Sequence, residues 1–252
     1  MGLFQRLFGT RGTQFASFAS LKSDMHSHVI PGIDDGASSL DDSLDMLRAM
    51  SELGFQKVIT TPHVMRDGFP NTPEGIKAGL ERVRREAQEH AISIELEAAA
   101  EYYLDEAFLT SIESGLLFFG GQPKFVLFET SYVSKPMSLN NAVFKMQTHG
   151  YTPVLAHPER YQYWWGKSDA LEEMEELRNR GVKFQVNISS FAGRHGKASQ
   201  VLAKQLVKSG MVDFLGTDMH KARQAETMKE ALKGSKDLRA LLDSGNLLNQ
   251  HL

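Results

Sequence analysis

Two pairs of side chains that commonly bind metal ions lie two residues apart, one pair near each end of the chain. His26 and His28 end a short segment early in the sequence (residues 21–28), and Asp218 and His220 end another near the end of the sequence (residues 214–220). If each segment is a strand, residues i and i+2 face the same side, so each pair projects into one space. Imidazole and carboxylate groups are ligands for Zn²⁺, Mn²⁺ and Fe²⁺. The two pairs therefore predict a metal centre.

Further candidate ligands come at regular intervals between these pairs. They end predicted strands two to five, and they are His63, Glu101, Glu129 and His157. Intervals of 28 residues separate Glu101 from Glu129 and Glu129 from His157. One strand–helix unit of a (β/α) barrel takes roughly 30 residues, and the active sites of such barrels lie at the carboxyl ends of the strands. We therefore expect these side chains to meet at one face.

This set holds more donors than one four- to six-coordinate ion can use, so two or three divalent ions are indicated. The mixture of imidazole and carboxylate favours zinc, manganese or iron over calcium or magnesium. A carboxylate such as that of Glu101 can bridge two ions through its two oxygens, whereas an imidazole cannot. Bound cations can lower the pKa of a shared water and neutralise phosphate oxygens.

An arginine follows each of two predicted ligands by three residues. Arg160 follows His157, and Arg223 follows His220, so each guanidinium belongs to a loop beside the predicted ions. The planar, paired donors of a guanidinium match a phosphate. For either arginine alone, a solvated loop position is the alternative. Their equivalent placement after two ligand strands favours a phosphate-binding role.

Aromatic side chains cluster directly after the strand that ends at His157. They are Tyr161, Tyr163, Trp164 and Trp165. On the loop side of the predicted site they could stack on a substrate ring, or they could form an ordinary packing cluster or an oligomer contact. Further rim candidates follow strands two and six, namely Met65, Phe69, Phe191, Arg194 and His195.

The elements that must position these side chains are seven predicted strands, each followed by a helical stretch. The strands cover residues 21–28, 57–63, 92–101, 125–130, 152–157, 183–188 and 214–220. The helices lie near residues 38–53, 73–90, 105–113, 138–149, 168–180, 197–209 and 223–243. This alternation predicts an α/β domain with parallel strands. Periodicity alone does not decide between an open sheet and a closed barrel.

Length and composition fit one globular domain. The chain has 252 residues, a net charge of −3 and no cysteine, which excludes disulfides, iron–sulfur clusters and a thiol nucleophile. Because both charge signs are mixed along the chain, no nucleic-acid partner is indicated. We predict an N-terminal extension over residues 1–20 and a single domain over 21–252. No segment has the length and apolarity of a membrane span, so we expect a cytoplasmic protein without stable membrane insertion.

The assembled motifs resemble those of the PHP (polymerase and histidinol phosphatase) superfamily of metal-dependent phosphoesterases, over about residues 21–223. Its His-x-His, single-histidine and Asp-x-His motifs correspond to His26/His28, His63, His157 and Asp218/His220. The resemblance implies a distorted seven-stranded (β/α)7 TIM-like barrel. Within the superfamily, His-Ser-His-Val-Ile-Pro-Gly-Ile-Asp-Asp-Gly-Ala is similar to the CpsB/YwqE-type bacterial protein-tyrosine phosphatases of capsule and exopolysaccharide systems.

The resemblance also implies how the ligands divide among three ions. The first set would be His26, His28, Glu101 and Asp218, the second Glu101, Glu129 and His157, and the third Asp35, His63 and His220. Asp34 is the alternative to Asp35, because adjacent aspartates point to different sides. The family pattern places the second arginine further from the Asp-x-His motif, so Arg223 matches it less well than Arg160 does.

From this resemblance we expect metal-dependent hydrolysis of phosphotyrosine in proteins, with manganese favoured. Water would attack phosphorus directly, without a phosphoenzyme, and Arg160 and Arg223 would be the catalytic residues. The implied partner is a phosphotyrosyl protein such as a bacterial tyrosine kinase, and no oligomeric state is predicted. The alternative is a small-molecule phosphomonoesterase such as a histidinol phosphatase. Those enzymes usually carry histidines where this chain has Asp35 and Glu129.

Overall fold

Parallel strands alternate with helices along the chain in the computed structural model, which describes residues 17–252. The strands are β1 (Ser23–Asp24), β2 (Lys57–Thr60), β3 (His63–Val64), β4 (Glu95–Ala98), β5 (Glu101–Tyr103), β6 (Lys124–Glu129), β7 (Tyr151–Ala156), β8 (Lys183–Asn187) and β9 (Phe214–Gly216). Nine segments thus replace the seven predicted strands, because the second and third are each interrupted. The break between β2 and β3 contains Pro62, which has no N–H to donate to a ladder.

These segments form two parallel sheets in which hydrogen-bonded neighbours follow chain order. One sheet has the order β1-β2-β4, and the other has the order β3-β5-β6-β7-β8-β9. Beyond β1 and β9, Ser27 and Met219 form an isolated parallel bridge, and the His28 N–H donates to the Met219 carbonyl at 2.9 Å. The predicted α/β class with parallel strands is confirmed. The described ladders do not form one continuous closed barrel.

The helices connect the strands and begin and end at residues suited to those positions. They are α1 (Leu40–Leu53), α2 (Pro73–Glu89), α3 (Glu106–Ser114), α4 (Leu139–Thr148), α5 (Ala170–Asn179), α6 (Lys197–Lys208), α7 (Gln224–Gly234) and α8 (Lys236–Asp243). The side chain of Ser39 caps α1 and that of Thr72 caps α2, each accepting a backbone N–H of the first turn. The single helix predicted over 223–243 is two helices, because Ser235 leaves helical geometry and caps α8.

Apolar side chains pack on both sides of the strands. The larger cluster joins the strands to the surrounding helices. A smaller, inner cluster joins Met25, Ile59, Ala99, Phe119, Phe125, Leu127, Val154, Ala156 and Phe214. Burial on both faces is the usual state of parallel strands between helices. The buried polar side chains of the fold are therefore surrounded by an apolar interior.

The predicted N-terminal extension, residues 1–20, falls mostly outside the described residues. Of its last residues, Phe18 is buried and stacks on Phe55 with ring centroids 5.9 Å apart. A 3₁₀ turn follows over Ala19–Leu21. Among residues 17–252, no helix is both long enough and apolar enough to cross a membrane.

Candidate metal centre

Side chains that follow strands, end them or begin them after an interruption converge on one place in the fold. His63 opens β3 and Glu101 opens β5, and the two are paired in register across these strands. The others come from the ends of neighbouring strands or the residues that follow them, namely His26, His28, Glu129, His157, Asp218 and His220, with Asp35 from the loop after His28. The structure thus brings all nine predicted ligands together. That they bind metal ions stays a prediction.

Glu101 lies at the centre of this cluster and is fully buried. Its Oε1 lies 2.9 Å from His157 Nε2, and its Oε2 lies 3.0 Å from His26 Nε2 and 3.3 Å from His63 Nδ1. Burial opposes ionisation, but the adjacent His26 and His63 outweigh it and hold the pKa of Glu101 well below its usual range. The two oxygens of one carboxylate therefore face different histidines, as a bridging ligand requires.

Glu129 brings a second buried carboxylate into the same space. Its Oε1 lies 3.4 Å from His63 Nδ1, and its Oε2 lies 3.8 Å from His157 Nε2. Burial and the adjacent negative charge of Glu101 raise the pKa of Glu129 well above its usual value. Glu101 and Glu129 both face His63 and His157. Burying two carboxylates this close together costs free energy unless a cation compensates their charge.

Asp218 faces the histidine pair that follows β1. Its Oδ1 lies 3.5 Å from His26 Nε2, His28 Nε2 and His220 Nδ1 alike. Burial opposes ionisation of Asp218, but His26 and His28 outweigh it and hold its pKa well below the usual range. Burial lowers the pKa of His26, but the negative charges of Glu101 and Asp218 outweigh this effect and raise it to about 9.

The two adjacent aspartates take different positions. Asp34 is turned inward, and its Oδ2 accepts from His28 Nδ1 at 2.8 Å and from the His63 N–H at 3.2 Å. Because an ionised carboxylate only accepts, His28 carries its proton on Nδ1 and turns Nε2 toward the cluster. Asp35 Oδ1 instead lies 3.2 Å from His220 Nε2 and 3.6 Å from His63 Nε2. The contact with His220 lowers the pKa of Asp35 to about 2.

The donor atoms of the cluster fit divalent transition-metal ions. Among the residues that the structure describes, His28 Nε2 and His63 Nδ1 are buried without a hydrogen-bond partner, a state that polar atoms normally avoid. Both face carboxylate oxygens across 3.3 to 3.6 Å. Four groups hold donor atoms within 4.8 Å of one another: His28/Asp35/His63/His220, His26/His28/Glu101, His26/His157/Asp218 and His63/Glu101/Glu129. These residues could therefore hold two or three such ions.

Arg160 reaches the cluster from the 3₁₀ turn that follows His157. Its Nη1 donates to Asp218 Oδ2 at 2.8 Å, and its guanidinium lies over the Tyr132 ring, 4.7 Å from the centroid. The Tyr132 hydroxyl in turn donates to Glu129 Oε2 at 3.2 Å. The side chain of Arg160 is 23% exposed and lines the cavity over the cluster.

A cavity of 490 Å³ opens over the cluster. Met65 and Phe69 line one part of its wall, and Arg194, His195 and Arg223 also line it. The Phe69 ring stacks on His63, with centroids 5.4 Å apart. The entrance thus combines apolar and cationic side chains. Of the predicted rim candidates, Phe191 lies in the core instead.

The aromatic residues after β7 pack inside the protein. Tyr161 and Trp164 are fully buried, and the Tyr161 ring stacks on Tyr163 with centroids 5.3 Å apart. The Tyr161 hydroxyl accepts the Thr130 N–H at 3.1 Å. None of the four predicted residues lines the cavity. Of the alternatives that the sequence left open, the structure favours the packing cluster.

Strand β8 carries two residues that sequence reasoning missed. Gln185 and Asn187 are fully buried and lie two residues apart, on one face of the strand. Gln185 Oε1 lies 2.9 Å from His26 Nδ1, and Asn187 Nδ2 donates to Asp218 Oδ2 at 2.6 Å. The i, i+2 spacing that identified His26 and His28 also marks this pair. A pattern of ionisable ligands does not include amides, so it assigns neither residue a role.

The chain is similar to known proteins over most of its length. The family described as capsular polysaccharide synthesis, CpsB/CapC, matches residues 22–237. The tyrosine-protein phosphatase YwqE of Bacillus subtilis (strain 168) is 26% identical to the chain over 200 residues, which cover 79% of the chain and 78% of the relative.

Two solved structures have the same fold. The first comes from a study of YwqE from Bacillus subtilis and CpsB from Streptococcus pneumoniae, described as unique metal-dependent tyrosine phosphatases; its TM-score is 0.74 at 24% identity, and the match covers 91% of this chain and 94% of that one. The second is a histidinol phosphate phosphatase from Lactococcus lactis complexed with zinc, L-histidinol and phosphate, with a TM-score of 0.53 at 14% identity, covering 90% and 94%.

Proposed function

The chain belongs to the CpsB/CapC family of capsular polysaccharide synthesis, and from this membership we propose that it is a metal-dependent protein-tyrosine phosphatase that acts in capsule or exopolysaccharide regulation. The observation that carries the proposal is the convergence of nine His, Asp and Glu side chains around Glu101, with Arg160 beside them. The name of the relative YwqE, a tyrosine-protein phosphatase, supports the choice of substrate.

As part of this proposal, the ligands divide into three sets. The first set is His26, His28, Glu101 and Asp218, the second is Glu101, Glu129 and His157, and the third is Asp35, His63 and His220, as the family resemblance implies. The contacts of Glu101 with His26 and His157, and of Asp35 with His63 and His220, support this division. Glu101 belongs to two sets because its two oxygens face different histidines. Manganese is the favoured ion, and iron and zinc suit the same donors.

When bound, the divalent ions would neutralise phosphate oxygens and lower the pKa of a water molecule. Arg160 and Arg223 would bind further phosphate oxygens and stabilise the negative charge that spreads over them in the transition state. Met65 and Phe69 would contact the phenyl ring from the cavity wall. Water attacks phosphorus directly, and phenolate, with a pKa of about 10, leaves with little need for protonation.

We further propose that the two sheets are parts of one distorted seven-stranded barrel. The halves β2 and β3 belong to different sheets, as do β4 and β5, so two interrupted strands connect one sheet to the other. The bridge between Ser27 and Met219 lies where the first and last units of such a barrel would meet. The alternative of two independent sheets would leave this bridge unexplained.

The substrate would be a phosphotyrosyl protein in the cytoplasm, such as the tyrosine-rich tail of a bacterial tyrosine kinase. The test is phosphate release from a phosphotyrosyl peptide and from histidinol phosphate, measured side by side with Mn²⁺ present. We expect a higher kcat/KM for the peptide. A strong preference for histidinol phosphate would overturn the choice of substrate in favour of the small-molecule phosphomonoesterase.

A further inference from the structure

Strand β8 ends beneath the ligand cluster without contributing a ligand, and its buried amides take another role. From the contacts of Gln185 and Asn187 we propose that they form a positioning element, which fixes how His26 and Asp218 face the metal ions and holds His157 in place. The inference rests on the proposed function in one respect, namely that the cluster binds divalent ions. Neither amide is itself a predicted ligand.

A backbone N–H group fixes the orientation of the Gln185 side-chain amide. The His157 N–H donates to Gln185 Oε1 at 3.1 Å. Since a backbone N–H cannot accept, the Gln185 atom that faces it must be the oxygen. The same oxygen lies 2.9 Å from His26 Nδ1, so His26 carries a proton on Nδ1. Its Nε2 is therefore the nitrogen that faces Glu101 and Asp218.

The other end of the network orients Asp218. Gln185 Nε2 donates to Asn187 Oδ1 at 2.9 Å, and Asn187 Nδ2 donates to Asp218 Oδ2 at 2.6 Å. Asp218 Oδ2 also accepts from Arg160, so Oδ1 is the oxygen turned toward His26 and His28. One chain of hydrogen bonds thus connects ligands that come from three different strands.

The backbone conformations of His157 and Asp218 independently indicate that these two residues must be held in place by their neighbours. His157 has φ 31° and Asp218 has φ 49°, in the left-handed region that residues other than glycine seldom occupy. Strained residues of this kind persist where their surroundings hold them, and they cluster at functional sites. Gln185 holds the backbone of His157, and Asn187 holds the side chain of Asp218.

The neighbouring strand leaves room for the network. A β-carbon at Gly216 of β9 would lie 2.6 Å from Gln185 Nε2 and 2.8 Å from the β-carbon of His26. No side chain fits there without moving one of them. The glycine and the two amides therefore form one packed arrangement behind the ligands.

The test measures Mn²⁺ binding to the chelator-stripped full chain by calorimetry, together with the melting temperature of the metal-free protein. Gln185→Met and Asn187→Leu remove the amides. Asn249→Leu is the matched control, because Asn249 is also a fully buried amide, bonded to the backbone of Ser23 and Leu215 and not to any ligand.

We expect Gln185→Met and Asn187→Leu to weaken Mn²⁺ binding by about 10- to 100-fold, the effect usual for partners that orient metal ligands. Asn249→Leu should lower the melting temperature and leave Mn²⁺ affinity within about twofold of wild type. If Gln185→Met does not fold, Asn187→Leu decides alone.

Wild-type affinity in the two network variants would overturn the inference, as would an equal loss in Asn249→Leu. Failure of the wild-type chain itself to bind Mn²⁺ would instead contradict the proposed function.

Discussion

At the scale of single residues, the centre is organised around the two oxygens of Glu101. One oxygen faces His157, and the other faces His26 and His63. The spacing of Glu101 from Glu129 matches one strand–helix unit and predicts Glu101 at the end of a strand. In the structure Glu101 instead begins β5, after the interruption that follows β4. Which oxygen faces which histidine depends on side-chain geometry that spacing does not specify.

Substitution of Glu101 and substitution of Arg160 should affect metal content and turnover differently. Glu101→Ala should lose metal and nearly all turnover, because it removes a ligand common to two proposed sets. Arg160→Ala should keep its metal and turn over phosphotyrosyl peptide about 10²- to 10³-fold more slowly, as expected when a donor to the transition state is removed. Metal analysis and kinetics on the same preparations measure both. Unchanged metal content in Glu101→Ala would exclude it as a bridge.

Asp34 and Asp35 are adjacent in sequence and should be distinguishable by metal stoichiometry. Asp35→Ala should bind one ion fewer per chain, because Asp35 faces His220 and His63 directly. Asp34→Ala should keep the stoichiometry and lose about 10- to 100-fold in affinity, because Asp34 only orients His28. The sequence could not separate the two, since the conformation of the turn decides which carboxylate faces the ring nitrogens of His220 and His63 and which one bonds to His28. The reverse pattern would make Asp34 the ligand.

At the scale of elements, what the sequence predicted best was the set of strand ends. Regular spacing and i, i+2 pairs predict strands with polar ends, and these ends do meet. The interruption at Pro62 and the division of the last helix at Ser235 depend on local hydrogen bonding that the apolar pattern hides. The aromatic segment after β7 was ambiguous because burial of Tyr161 and Trp164 is decided by neighbouring elements.

Close packing between β8 and β9 should make Gly216 sensitive to substitution. Gly216→Ala places a β-carbon against Gln185 and His26, so we expect a loss of about 1–3 kcal/mol in the free energy of unfolding and weaker Mn²⁺ binding. Gly234→Ala is the control, because a β-carbon there meets no atom within 4 Å. Denaturant unfolding and Mn²⁺ titration of both variants test this. Equal behaviour of the two would show that β9 tolerates a side chain beside the network.

At the scale of the whole molecule, folding gathers several buried carboxylates into one place. Glu129 shows the consequence, since burial and the charge of Glu101 raise its pKa. Ions that bind the folded chain and not the unfolded one stabilise it by mass action, by about 2.7 kcal/mol at a hundredfold excess over Kd. We therefore expect Mn²⁺ to raise the melting temperature by about 5–10 °C. Calorimetry with and without Mn²⁺ measures this, and no shift would mean that Mn²⁺ does not bind the folded chain in preference to the unfolded one.

The central claim is that metal ions held at the convergent strand ends are required for cleavage of phosphotyrosine. Its most direct test is phosphate release from a phosphotyrosyl peptide by one preparation before chelation, after chelation and after Mn²⁺ is returned. We predict that chelation lowers turnover by at least about 10³-fold and that Mn²⁺ restores it. Turnover that persists after metal analysis shows the chain to be metal-free would contradict the account.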